Sequence, residues 1–107
     1  MKRRDVQVLS QLAALRAERS AALLARKLAV LSELQRRDQA LRQPSPLESD
    51  DLAHRIVADR HDIWRQGELA KLSVLLARAE AEAQPFRERH ARDVARREVI
   101  GRLHKDI

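Results

Sequence analysis

The chain of 107 residues has no cysteine and no tyrosine, only two glycines and three prolines, and an aromatic content of 2%. Without cysteine there is no disulfide framework and no thiolate chemistry, and nothing points to an oxidising compartment. With so few glycines and prolines the backbone has few places to turn, and Trp64 and Phe86 are too few to centre a globular core. No apolar run approaches the roughly 18 residues that a membrane span needs. The start, Met1-Lys2-Arg3-Arg4-Asp5, is basic, but Gln7, Ser10 and Gln11 interrupt what would be the apolar core of a signal peptide, so the expected location is cytoplasmic. A glycine-rich phosphate loop is also missing.

What remains is dominated by Ala, Leu, Arg and Glu, the composition of long helices and coiled coils. The breaker cluster Gln43-Pro44-Ser45-Pro46-Leu47-Glu48 divides the chain into two such runs. Pro44 disfavours a helical Gln43 and ends the first run. Ser45-x-x-Glu48 reads as a capping box with Pro46 at the first helical position, and Asp50 and Asp51 add negative charge to the opening turns. The expected fold is therefore all-α: one domain over residues 1–107, an antiparallel two-helix coiled-coil hairpin. Helix one would cover about 5–43, the bend 44–46, and a longer helix two about 46–105.

In the first run Val8, Leu12 and Leu15 recur at helical spacing, and Leu24, Leu28, Leu31, Leu34 and Leu41 continue it. Ser20, Lys27 and Asp38 interrupt any single heptad, so a loose coiled coil is expected. The second run carries two adjacent stripes. One is Leu52, Ile56, Ile63, Ala70, Val74, Ala77 and Ala81; the other is Leu69, Leu72, Leu76, Ala79, Ala83 and Phe86. A single partner helix covers one such stripe, which leaves the other for a second protein or for self-association into a four-helix bundle. Gly67 weakens the helix, Pro85 is expected to kink it without ending it, and Gly101 to begin its fraying. Because helix two is the longer, Phe86–Ile107 would overhang, with Ala91, Ala95, Val99 and Leu103 uncovered.

No catalytic constellation is visible, and the chain reads as a non-enzyme without metal or cofactor. His54, His61, His90 and His104 have no metal-ligand spacing and read as solvated surface groups. Arginines alternate with carboxylates in Arg87-Glu88-Arg89 and Arg96-Arg97-Glu98, as in intrahelical pairs. Charge is segregated: residues 1–43 hold ten Lys/Arg against four Asp/Glu, 44–85 five against eight, and 86–107 seven against four. An antiparallel hairpin would thus have a basic pole at the chain ends and an acidic pole at the bend, a polarity suited to docking on an acidic surface. Basic ends also give affinity for nucleic acid, but no recognised motif accompanies them and only two aromatics are available for stacking. Trp64 reads either as packing over helix one beside Ile63 or as the hot spot of an interface.

The arginine-rich first helix, the acidic bend, and a second helix ending in Arg92-Asp93-Val94-Ala95-Arg96-Arg97-Glu98-Val99-Ile100 together resemble the FliJ/YscO-type coiled-coil stalk proteins of flagellar and injectisome type III export systems. The resemblance is architectural and spans the whole chain, although the chain is short for the family. It implies a stalk whose paired ends enter the ring of a hexameric export ATPase while the second helix meets the export gate, with secretion chaperones as further partners. Lys2, Arg3, Arg4, Arg92, Arg96 and Arg97 would face the ring; Trp64, Ala70, Val74, Ala77 and Ala81 would face the gate or a client. The location implied is cytoplasmic, peripheral to a membrane-embedded apparatus. A generic coiled-coil adaptor or chaperone for secreted proteins, which binds an amphipathic client helix, is the alternative, and a basic nucleic-acid-binding helical protein the second.

Overall fold

The computed structural model describes residues 2–43 and 51–106. They form two helices and, among the described residues, no strand: α1, Arg3–Arg42, of 40 residues, and α2, Leu52–Asp106, of 55. The fold is all-α, a long helical hairpin. The expected corner and the capping box at Ser45 and Glu48 lie outside the described residues. The start of α2 is nevertheless later than expected. Asp51 is not helical; its carboxylate accepts from the backbone N–H of Ala53 at 3.2 Å and its carbonyl from that of Arg55 at 3.0 Å. Asp51 is the N-cap, satisfying donors that the first turn leaves without partners. At the other end α1 begins at Arg3, with the Lys2 carbonyl accepting from the amides of Asp5 and Val6.

Both doubtful points in α2 turn out helical. The helix continues across Pro85, whose missing N–H leaves the Ala81 carbonyl without its usual donor. It also continues through Gly101 to Asp106, so the expected fraying at Gly101 does not occur.

Contacts divide the chain into two compact units, one of Met1–Ala29 with Ala81–Ile107 and one of Val30–Glu80. In the first, α1 and α2 run antiparallel. Ser20 meets His90 and Lys27 meets Glu82, so seven residues forward on α1 correspond to eight back on α2. The α1 face turned inward is Val6, Ser10, Ala13, Ala17, Ser20, Leu24 and Lys27, every one buried or half-buried and spaced in alternating steps of four and three. The α2 face is Ala83, Phe86, His90, Asp93, Ile100 and His104. In the second unit the inward faces are Leu31, Leu34, Asp38 and Leu41 on α1, and Arg65, Leu69, Leu72, Leu76 and Ala79 on α2.

This corrects the first reading of α1. Ser20, Lys27 and Asp38 do not break the heptad; they occupy it. With those polar positions admitted, the repeat is the strict 3.5-residue period of a coiled coil. Val8, Leu12 and Leu15, taken from their apolarity as the seam, are exposed instead. Alanine and serine at the inward positions let two backbones approach closely, which the larger leucines would prevent.

The overhang is at the opposite end from the one expected. Phe86–Ile107 is paired, because Ala81–Ile107 packs with the first 29 residues in one unit. Phe86 and Ile100 are thereby half-buried, whereas an overhang there would have left both in water. Ala91, Ala95, Val99 and Leu103 are exposed, as expected. In the second unit Arg65 Nη1 reaches the carbonyl of Gln43 at 3.1 Å, so the turns Leu52–Trp64 run past the end of α1. Leu52, Ile56, Val57 and Ile63 in those turns are exposed, Ile63 at 71%.

Candidate functional site

The inward faces hold few polar contacts, and each has a local cause. Ser20 is 3% exposed, and its hydroxyl donates to the Ala17 carbonyl at 3.1 Å, a bond that serine forms readily inside a helix. With that single proton committed, the oxygen accepts from Nδ1–H of His90 at 3.0 Å. His90 is therefore a seam residue, not the solvated surface histidine its spacing implied. Seven residues further along α1, Lys27 lies over the Phe86 ring, 5.3 Å from its centroid, and 3.8 Å from Glu82. In the second unit Arg65 occupies an inward position, pairs with Asp62 at 3.3 Å and caps the C-terminal end of α1 through Gln43. Its Nε is buried without a partner among the described residues.

Other ion pairs lie along single helices. Glu33 takes a bidentate grip from Arg36, at 2.7 and 3.0 Å, and a third bond from Arg37 at 3.3 Å. The Arg36 hydrogen bonds, with the charges of Arg36 and Arg37, hold the Glu33 carboxyl down at about 2. Arg36 is raised in turn by its bond to Glu33, and Arg42 by its 2.8 Å bond to Asp38.

Against this background the basic residues of the first unit stand apart. That unit carries fourteen Lys/Arg against seven Asp/Glu, while the other carries eight against nine. Arg16 and Arg19 from α1 and Arg89, Arg92 and Arg96 from α2 line one open concavity of about 540 Å³, with Asp93 its one carboxylate. A second concavity, about 390 Å³, shares Arg16, Arg19, Asp93 and Arg96 and extends over Leu9, Leu12, Leu15 and Ile100. The groove lies beside the seam, where Arg16 and Arg19 on α1 and Arg92 and Arg96 on α2 flank the covered Ala13, Ala17 and Ser20.

The expected ring-facing residues are thus partly brought together. Arg92 and Arg96 join the groove. Arg97 is exposed outside it, and Lys2, Arg3 and Arg4 are exposed at the start of α1 in the same unit. The groove's α1 half, Arg16 and Arg19, was not singled out from sequence. The signal was present: both lie one position before an inward residue of the 4-3 repeat, which becomes visible once serine is allowed in the seam.

The two α2 stripes separate cleanly. Leu72, Ala79 and Ala83 are buried and Leu69, Leu76 and Phe86 half-buried, so the second stripe is the covered one. Trp64, Ala70, Val74 and Ala77 are all exposed, and so is Ala81, which belongs to the first unit. Trp64 is 53% exposed and tilted against His61, with ring centroids 5.5 Å apart, so neither it nor Ile63 packs over α1. Trp64 on an uncovered stretch has the chemistry of an interface anchor.

Among the described residues no group of three metal-binding side chains occurs, and no helix is long and apolar enough to cross a membrane. No protein-family model, curated protein or solved structure matches the chain.

Proposed function

We propose that this chain is a non-enzymatic coiled-coil stalk of a type III protein export apparatus, linking a hexameric export ATPase to the export gate. The observation that carries the reading is the gathering of the basic N-terminal and C-terminal segments into one antiparallel unit with twice as many Lys/Arg as Asp/Glu. A stalk entering a ring needs its two chain ends paired at one end of the helix pair, and it needs charge there to engage an acidic lining. In this reading Lys2, Arg3, Arg4, Arg92, Arg96 and Arg97 face the ring. Trp64, Ala70, Val74, Ala77 and Ala81, on the uncovered stripe, face the gate, and secretion chaperones are further partners. The site of action is the cytoplasmic side of the membrane-embedded apparatus.

The exposed stripe also favours a second reading, an adaptor or chaperone that lays an amphipathic client helix along α2. Pull-down of the hexameric export ATPase separates the two. The ring reading expects capture by the native chain and loss of capture with Arg92, Arg96 and Arg97 all changed to Glu. Unchanged capture by that variant sinks the ring assignment.

A further inference from the structure

Basic side chains from both helices are gathered in one groove of the first unit. Arg16, Arg19, Arg89, Arg92 and Arg96 come from two helices and line one groove. Among the described residues none of the five takes part in a hydrogen bond or ion pair, whereas Arg36, Arg37, Arg42 and Arg65 all do. Five guanidiniums around one carboxylate repel one another; all five are exposed, so water and salt screen much of that repulsion, and anionic groups entering the groove would relieve the rest. A guanidinium also presents a planar fork that matches a carboxylate two bonds at a time.

Charge is half of the groove. Its continuation is apolar, floored by Leu9, Leu12, Leu15 and Ile100, and the two parts share Arg16, Arg19, Asp93 and Arg96. Leu12 and Leu15 are more than half exposed, so an apolar partner has area to cover. A ligand that satisfies both parts carries a row of apolar side chains beside a row of carboxylates. We infer that this groove docks an acidic amphipathic helix of a partner protein, leucine-like residues at i, i+3/i+4 and i+7 lying over Leu9, Leu12, Leu15 and Ile100 and flanking carboxylates forked by Arg16, Arg19, Arg92 and Arg96. Nucleic acid fits less well. A single strand needs stacking platforms, and the one Phe, Tyr or Trp of this unit, Phe86, is already occupied by Lys27, while a duplex offers its phosphates alone. Either would also leave the leucine floor wet.

The inference rests on the helix pairing alone; within the export reading it names the chemistry of the element that the ring offers to Arg92 and Arg96. The test uses the full chain and a labelled synthetic helix of about 18 residues, leucine on one stripe and glutamate beside it. Fluorescence anisotropy is expected to give a Kd in the micromolar range. Arg19→Glu with Arg92→Glu is expected to weaken it at least roughly ten-fold, and Leu12→Gln with Leu15→Gln to do the same. Arg19→Lys with Arg92→Lys should keep most of the affinity, and circular dichroism should show every variant as helical as the native chain. Absence of peptide binding overturns the inference, as does binding indifferent to either glutamate or glutamine pair. Polyglutamate of equal length binding as tightly, or a single-stranded oligonucleotide binding more tightly, shows that the groove reads charge alone and overturns it too. So does a dimer, seen by sedimentation, that the same substitutions dissociate, since the occupant would then be a second copy. Arg97→Glu keeps this result apart from the ring reading. Arg97 lies outside the groove, so peptide binding should survive that change whether or not ATPase capture does.

Discussion

Leu72 and Val74 lie two residues apart on α2, in the same unit, yet on opposite sides of the packing: Leu72 is 6% exposed and Val74 53%. Truncating each to Ala therefore has unequal consequences that can be worked out. Leu→Ala at a buried position costs about 2–5 kcal/mol, the transfer term plus the cavity left behind. A seam only two helices wide can close partly around the gap, so about 2–3 kcal/mol is expected. For a chain of this size each kcal/mol shifts Tm by roughly 4–8 °C, so Leu72→Ala should melt on the order of 10–20 °C lower. Val74→Ala removes two methyl groups worth about 0.8 kcal/mol each when fully buried, and about half of that here. Ala is the better helix former by roughly 0.5 kcal/mol, which offsets most of the loss. Its net change should stay below about 0.5 kcal/mol by that reckoning. Urea and thermal melts followed by circular dichroism, repeated over a range of protein concentration, measure both. Equal costs, or a larger one at Val74, would mean that the second stripe is not the covered one.

Gly67 is helical with φ negative, and a Cβ added there meets nothing within 4 Å. Gly67→Ala should therefore stabilise by up to about 1 kcal/mol, read as a rise in Tm; a fall would place the residue against a neighbour. Ala17 is 2% exposed in the small-residue seam, so Ala17→Leu should destabilise by about 1–3 kcal/mol through overpacking, and a neutral result in the urea melt would refute close approach there. The Glu33 carboxyl should titrate near 2 by NMR, and Arg36→Gln should raise the midpoint toward the ordinary 4.5. Since the folded-state value is the lower one, its stabilising contribution is complete above the ordinary value and fades as pH falls toward 2. An unmoved midpoint in the Arg36 variant would show that Arg36 is not the cause.

The two-helix plan was legible because composition and the proline-flanked corner leave little else: Ala, Leu, Arg and Glu with two glycines cannot make a sheet. The segregation of charge was equally plain. Register was not legible, for a physical reason. Apolarity was taken as the mark of the seam, which selects Val8, Leu12 and Leu15, yet the pairing uses Ala13, Ala17 and Ser20. Small residues gain by backbone approach, which hydropathy does not register. His90 misled likewise: its partner is seventy residues away, so no spacing in its own helix could announce a seam position. The overhang followed from helix length alone, with helix two starting at the corner; it falls at the other end because α2 begins at Leu52 and meets the end of α1 only at Arg65. The two stripes of α2 were found, but choosing between them needed the register of the other helix.

That register is the point on which the basic groove, the covered stripe and the uncovered turns Leu52–Trp64 all depend. The chain has no cysteine, so introduced pairs report it without background. Mild oxidation of the Ser20→Cys, His90→Cys double variant should close an intramolecular disulfide, while Ser20→Cys with Ala70→Cys should stay reduced. The opposite pattern, cross-linking to position 70 and none to position 90, would mean that α1 pairs with the first half of α2, and that the C-terminal arginines lie beyond it.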